Sequence, residues 1–208
     1  MRSTTIAIRQ RLAAGLIVLC IALPSAAENA DAVAVVDGLH SALIGIMRDG
    51  KTLGYEGRRK RIAPVIERSF DLPFIARFTL GRHWSELSAD QKDTMVDVFS
   101  RLTIANYAAR FNAFSGEQFE TLTSNPARKG RELVRTVLKV DKDSANNVTL
   151  DYLLQESEHS WRIINVIANG VSDLSLKRAD YGAVIKSGGF ESLIAKLNEQ
   201  IKDLESKR

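Results

Sequence analysis

The spacing of the apolar residues changes twice along this chain, and each change limits the folds open to it. From Glu28 to Phe114 the spacing is helical: Val36, Leu39, Leu43 and Met47 form one stripe at intervals of three and four. Asn29 or Asp31 is the expected cap of that helix, and Gly50 and Gly54 sit where it should end. A second helix is expected over Glu56 to Ser69 and a short one over Leu72 to Leu80. Ser88-Ala89-Asp90-Gln91 has the form of a capping box, with Ser88 as cap and Gln91 reaching back. It opens a long helix to about Phe111, with Met95, Phe99, Leu102 and Tyr107 near one face.

From Phe119 the period moves toward two. Leu133 to Val140 and Val148 to Gln155 read as strands joined by the turn residues Asp143 to Asn147. Trp161 to Ala168 is a third strand, turned by Glu158-His159-Ser160, and a weaker one over Gln118 to Thr123 precedes them all. After Gly170 the helical period returns. A short helix around Arg178 to Ile185 is separated by Gly188-Gly189 from a last one, whose face is Phe190, Leu193, Ile194, Leu197, Ile201 and Leu204. The expected fold is α+β: N-terminal helices, an antiparallel sheet of about four strands, and C-terminal helices, with helices against one sheet face.

The first residues point to a compartment. Arg2, Arg9 and Arg11 stand without an acidic neighbour, an apolar run from Leu12 to Leu23 follows, and Pro24 and Ser25-Ala26-Ala27 close the segment. That is the layout of a secretory signal peptide, and the run falls short of the roughly 20 apolar residues a membrane span needs. Residues 1–27 are therefore expected to be removed after Ala27, leaving 28–208 as one domain. Cys20, the single cysteine, lies inside the leader, so disulfides and thiol chemistry are not expected of the mature chain. Leu19 before Cys20 argues against lipidation. The leader also carries three arginines and no acid, so most of the formal +4 charge leaves with it. A general electrostatic case for nucleic-acid binding goes with that charge.

Catalytic chemistry finds little support. There is no glycine-rich phosphate loop, serine elbow or metal-spaced His/Cys cluster, so no metal or cofactor is expected. His40, His83 and His159 are scattered singly, and Glu156 and Glu158 sit on an expected turn where carboxylates are ordinarily solvated.

Several segments instead resemble one family. Phe70-Asp71 and Ala76-Arg77-Phe78-Thr79-Leu80-Gly81-Arg82-His83-Trp84 look like its F-D…A-x-x-x-L-G…W segment. Phe99 and Tyr107 match its helical F…Y, Val134-Arg135-Thr136 its V-x-T strand, and Tyr152 sits in the strand after that. Trp161 to Ser172 resembles W-x-I-x-D-V-x-x-E-G-V-S, and Arg178 falls where a later arginine recurs. The family is MlaC/Ttg2D, the toluene-tolerance auxiliary components of lipid-trafficking ABC transporters. Asn165 and Asn169 replace the usual acidic residues of the signature. The stretch from Asn165 to Tyr181 looks more like the hopanoid-associated HpnM branch.

The resemblance implies a periplasmic carrier whose helices and curved sheet enclose an apolar pocket for phospholipid or hopanoid. It further implies membrane partners: inner-membrane transporter components and an outer-membrane complex, visited by what is expected to be a monomer. Such a task has a physical logic. Each exposed methylene costs about 0.8 kcal/mol in water, so two long acyl chains need shelter on the order of 25 kcal/mol. A carrier supplies comparable burial and no catalytic group. The candidate lining is Val134, Thr136, Leu138, Leu150, Tyr152, Leu154, Trp161 and Ile163 from the sheet, with Ile167 expected on the Trp161 face and Val140 and Val148 at the strand ends. Phe74, Phe78, Phe99, Leu102 and Tyr107 would close it from the helices. A filled core carries the same pattern, and only the resemblance favours a pocket. Arg58-Arg59-Lys60-Arg61 is the one basic cluster, a candidate for anionic headgroups or an acidic partner, or equally a solvated helix face balanced by Glu56 and Glu67. Two other readings stay open: a partner-binding module with a filled core that docks on a membrane transporter, and a hydrolase or lyase for which His83 with a nearby carboxylate is the minimum.

Overall fold

A computed structural model describes residues 26–140, 144–157 and 160–206. Residues 1–25 of the expected leader lie outside these, as do Asp143, Glu158 and His159 of the expected turns. Helix α1 (Ala26–Arg48) buries Val36, Leu39, Leu43 and Met47 as one stripe. The helix already runs at Ala26, ahead of the start expected at Asn29 or Asp31. Helix α2 (Gly50–Ser69) begins after the single intervening residue Asp49 and breaks inside at Gly54, with φ +59°. The helix expected from Glu56 is the part beyond that break.

Helix α3 (Leu72–Leu80) has the bounds its spacing predicts. Asp71 caps it, accepting from the Phe74 amide at 3.0 Å, and Pro73 occupies its first turn, where no amide is needed. Gly81 ends it with φ +57°, and a Cβ there would stand 2.8 Å from Arg178 Nη2. The Arg178 guanidinium lies over the Phe78 ring, 4.8 Å from its centre, and donates to the Phe78 carbonyl at 3.3 Å. The paired glycine and distant arginine of the motif thus meet in one contact. After a 3₁₀ turn (Gly81–Glu86) comes α4 (Ala89–Arg110). Its capping box is formed: the Gln91 amide donates to Ser88 Oγ at 3.2 Å, and the Ser88 amide donates to Gln91 Oε1 at 3.1 Å.

The sheet is a five-stranded antiparallel meander in the order β1 (Gln118–Ala127), β2 (Arg131–Lys139), β3 (Val148–Ser157), β4 (Ser160–Ala168) and β5 (Val171–Ser172). The short fifth strand was not expected. It is turned by Asn169 and Gly170, both at positive φ (48° and 80°), which is the backbone a tight hairpin demands. Helix α5 (Asp173–Ser206) follows at once, starting earlier than expected at Arg178 and breaking at Gly189, φ +78°.

One face assignment is corrected. Between β3 and β4 the register slips: Leu153 pairs with Asn165 but Leu154 with Ile163, leaving Ile164 as an extra residue. A bulge reverses the alternation beyond it. Val166 and Ala168 therefore join Tyr152 and Leu150 on the helix-covered face. Ile167, expected to share a face with Trp161 and Ile163, pairs with Asp151 on the other side. The helices lie on one sheet face in two groups. Helix α1 packs against β1, β2 and β4, whereas α5 packs against α3, α4 and β4.

Candidate functional site

Under α1 the sheet face is filled. Val134, Thr136, Leu154 and Ile163 are buried there, and the Thr136 hydroxyl donates to the Leu150 carbonyl at 3.0 Å. Glu132, one residue outside the expected strand, is buried on the same face and accepts from Ser124 Oγ at 2.7 Å. His40 of α1 stacks on Phe119 with ring centres 3.9 Å apart, and its Nε2 shares a 3.0 Å hydrogen bond with the Tyr152 hydroxyl.

Burial lowers the His40 pKa from an ordinary 6.5 to about 4, since a charged imidazole there loses its water, and Nδ1 has no partner among the described residues. The folded state thus binds this proton less readily than the unfolded chain. Its contribution to stability is intact above pH 6.5 and is lost as pH falls toward about 4. The full loss is on the order of 3 kcal/mol. Urea unfolding at pH 7 and pH 5 is expected to show the decline, and His40→Phe is expected to remove that share of it. An equal decline in the variant would mean other groups carry it.

Beyond α1 the helices stand off the sheet and leave a cavity of about 470 Å³. Its floor is Leu150 and Tyr152 of β3 and Ile164, Val166 and Ala168 of β4. Its walls are Phe70, Leu72 and Ile75 on one side, and Phe99, Thr103, Tyr107 and Phe111 on and just past α4. Leu174, Asp173, Leu176 and Lys177 of α5 close it, with Val171 beside them. Phe70, Tyr107 and Phe111 form an aromatic wall, successive ring centres 5.7 Å apart. The cavity opens to solvent beside Val171 and Leu176, which are 52% and 59% exposed. These are the most exposed large apolar residues among those described.

Tyr107 lies deep in the fold yet presents surface to this cavity. Its hydroxyl makes no hydrogen bond to a described residue, and burial, with Asp173 nearby, raises its pKa. Tyr152 is raised well above the phenol range by the same desolvation. At the mouth, Arg110 forms neither an ion pair nor a hydrogen bond with a described residue, and Lys177 pairs with Asp173 at 2.5 Å.

Of the lining residues expected from the sequence, Phe99, Tyr107, Leu150 and Tyr152 are on the cavity wall. Val134, Thr136, Leu154 and Ile163 are in the filled half, and Leu138 and Trp161 are half-buried on the same sheet. Phe74 and Phe78 pack on each other beside Arg131 and Arg178, and Phe78 is exposed. Leu102 faces a separate cleft between α4 and α5. In the basic cluster, Arg58 is turned inward rather than displayed. Its Nε donates to the Ala108 carbonyl and its Nη1 to the Gly50 carbonyl, each at 2.9 Å. Arg59 pairs with Glu56 and Arg61 with Asp49, leaving Lys60 as the exposed member with no ion pair to a described residue.

His83 Nδ1 lies 3.1 Å from Glu86 Oε2, but neither residue is on the cavity wall. Among the described residues no three His, Cys, Asp or Glu side chains gather as a metal site, and no helix is long and apolar enough to cross a membrane.

Sequence reasoning missed Val166, Ala168, Val171 and Leu174. The Asn169-Gly170 dipeptide was the available signal for the first three, because it marks a hairpin that returns the chain across the cavity floor. The two asparagines that depart from the acidic signature have structural work. Asn165 Oδ1 accepts from Ser172 Oγ at 3.2 Å and the Leu174 amide at 3.3 Å. Asn169 Oδ1 accepts from the Thr149 amide at 2.9 Å. A carboxylate oxygen accepts the same bonds, so these changes hold the β5 turn in either form.

Fold and cavity together define an α+β protein in which helices roof one half of an antiparallel sheet over an apolar chamber. The chain belongs to the MlaC family, whose model, described as MlaC protein, matches residues 38–199. Its fold is similar to that of a phospholipid-binding protein from Ralstonia solanacearum, solved in complex with a phospholipid. The two are 21% identical, the match covers 85% of this chain and 98% of that one, and the TM-score is 0.71.

Proposed function

We propose that this chain is a periplasmic lipid carrier, the soluble auxiliary component of an ABC transport system. The observation that carries this reading is the apolar cavity of about 470 Å³ with exposed Val171 and Leu176 at its mouth. Its size falls in the range of ligand pockets rather than packing defects. Membership of the MlaC family and the phospholipid in the Ralstonia protein of the same fold support it. The basic, apolar, small-residue leader supports export. Lipid tails enter between the sheet and α4–α5, and the headgroup remains at the Arg110–Lys177 end. A membrane complex on either side of the compartment opens the mouth. No step in this cycle needs a catalytic group.

The finer assignment, to the hopanoid-associated branch or to phospholipid carriers, rests on the ligand. Native mass spectrometry of the protein purified from its own envelope, followed by lipid extraction, is expected to show one lipid per chain. A polycyclic triterpenoid would place it in the HpnM branch, and a glycerolipid with the phospholipid carriers. A ligand-free mass, together with failure to take lipid from vesicles, would overturn the carrier reading in favour of a docking module.

A further inference from the structure

A second cleft, of about 350 Å³, lies between α4 and α5 and shares Asn106 and Lys177 with the apolar cavity. The two are therefore adjoining rooms with a common wall. Their chemistry differs. Beyond that wall the cleft is lined by Asp180, Gln200 and Asp203, with Leu102, Tyr181 and Leu204 beneath. The Asp203 carboxylate makes no ion pair or hydrogen bond with a described residue, whereas Asp180 is held by Lys196 at 2.7 Å.

From the cavity outward the order is thus apolar chamber, a rim formed by the unpaired Arg110 and the Lys177–Asp173 ion pair, then carboxylates (Asp180 and Asp203). A ligand that matched this order would carry a hydrocarbon body, then an anion, then a cation. Resting on the carrier reading above, we infer that the cleft is a headgroup vestibule for a lipid whose phosphate is followed by a primary amine. Arg110, with its guanidinium unpaired at the rim, receives the phosphate. Asp203 receives the ammonium, and the free Oδ1 of Asn106, whose Nδ2 donates to the Leu102 carbonyl at 2.9 Å, accepts from the same group. An uncharged polyol, or a neutral glycerol beyond the phosphate, leaves Asp203 without a counter-ion.

A primary amine also occurs on polyol headgroups that carry no phosphate, so the test separates the two sources. The full chain, freed of endogenous lipid, is equilibrated with vesicles of equal parts phosphatidylethanolamine and phosphatidylglycerol. Bound lipid is then extracted and the ratio of the two is read per lipid bound. The expected result is enrichment of the amine lipid by about fivefold, the scale of one partly exposed charge-assisted bond. Asp203→Asn is expected to bring the ratio near that of the vesicle and Asp180→Asn to lower it less, both being exposed positions whose amides keep the helix. In a parallel loading with an amine-bearing polycyclic polyol, Arg110→Ala is expected to weaken phospholipid capture more than polyol capture. Lipid bound in the vesicle ratio, or a ratio unmoved by Asp203→Asn, overturns the vestibule while leaving the carrier reading intact. Equal weakening of both ligands by Arg110→Ala overturns the phosphate assignment. No lipid captured from any vesicle overturns the carrier reading itself.

Discussion

Replacing Ala168 by tryptophan is expected to empty the cavity of lipid while the protein stays folded. Ala168 pairs with Leu150 at the end of β4, and both residues floor the cavity, so an indole at this position projects into the space a lipid tail would use. Each methylene kept out of an apolar site forfeits about 0.8 kcal/mol, so exclusion of four costs about 3 kcal/mol, or roughly a hundredfold in affinity. Overpacking a filled core costs typically 1–3 kcal/mol, but here the ring enters a void that opens to solvent, and tryptophan suits a strand. Lipid per protein, measured by native mass spectrometry with a thermal melt alongside, checks this. Unchanged lipid content with an unchanged melt would show that the ligand lies elsewhere.

The second large effect is expected at Arg58. Its guanidinium ties the start of α2 to the last turn of α4 through two backbone carbonyls, those of Gly50 and Ala108. Gly50 permits that closeness: a Cβ there would stand 2.1 Å from the Asn112 carbonyl oxygen. Arg58→Ala removes both charge-assisted bonds, a cost of about 3 kcal/mol. In a domain of this size that corresponds to a fall in Tm of roughly 6–12 °C. Arg58→Lys is expected to recover little, because an ammonium on a flexible stem does not reproduce two donors held in one plane. A thermal melt of each variant decides, and Tm values within a degree of the parent would show the clamp to be dispensable. Vesicle binding by the same variants separates this role from a surface one. A basic residue reading headgroups changes lipid binding without moving the melt.

Arg58 also illustrates how far the sequence could be read. Four basic residues in a row look alike as letters, and helical periodicity turns one of them inward: Arg58 lies four residues before the buried Ile62 and eight before Ile66. Which carbonyls it would meet depends on where α4 ends, and that is a long-range fact. The same distinction runs through the lining. Val134 and Tyr152 were both recognisable as inward-facing from alternation, yet Val134 is packed in the half of the sheet that α1 covers and Tyr152 borders the void. Beyond Ile163 even the facing was not legible, since nothing local announces that Ile164 bulges.

Several features follow from short-range chemistry alone, and for these the sequence was sufficient. The Ser88–Gln91 box, the bounds of α3 set by Asp71 and Gly81, the breaks at Gly54 and Gly189 and the period-two strands each depend on neighbours within four residues. The family motifs were legible as well, because Gly81 and Arg178 are both required by one contact. The cavity has no such local origin. It is the gap enclosed between α4, the start of α5 and the floor of β3 and β4, and its volume is set by the distance between elements rather than by any residue's own preference. A lined void and a filled core place the same apolar residues on the same faces, and only the tertiary packing decides which of the two a given half of the sheet becomes.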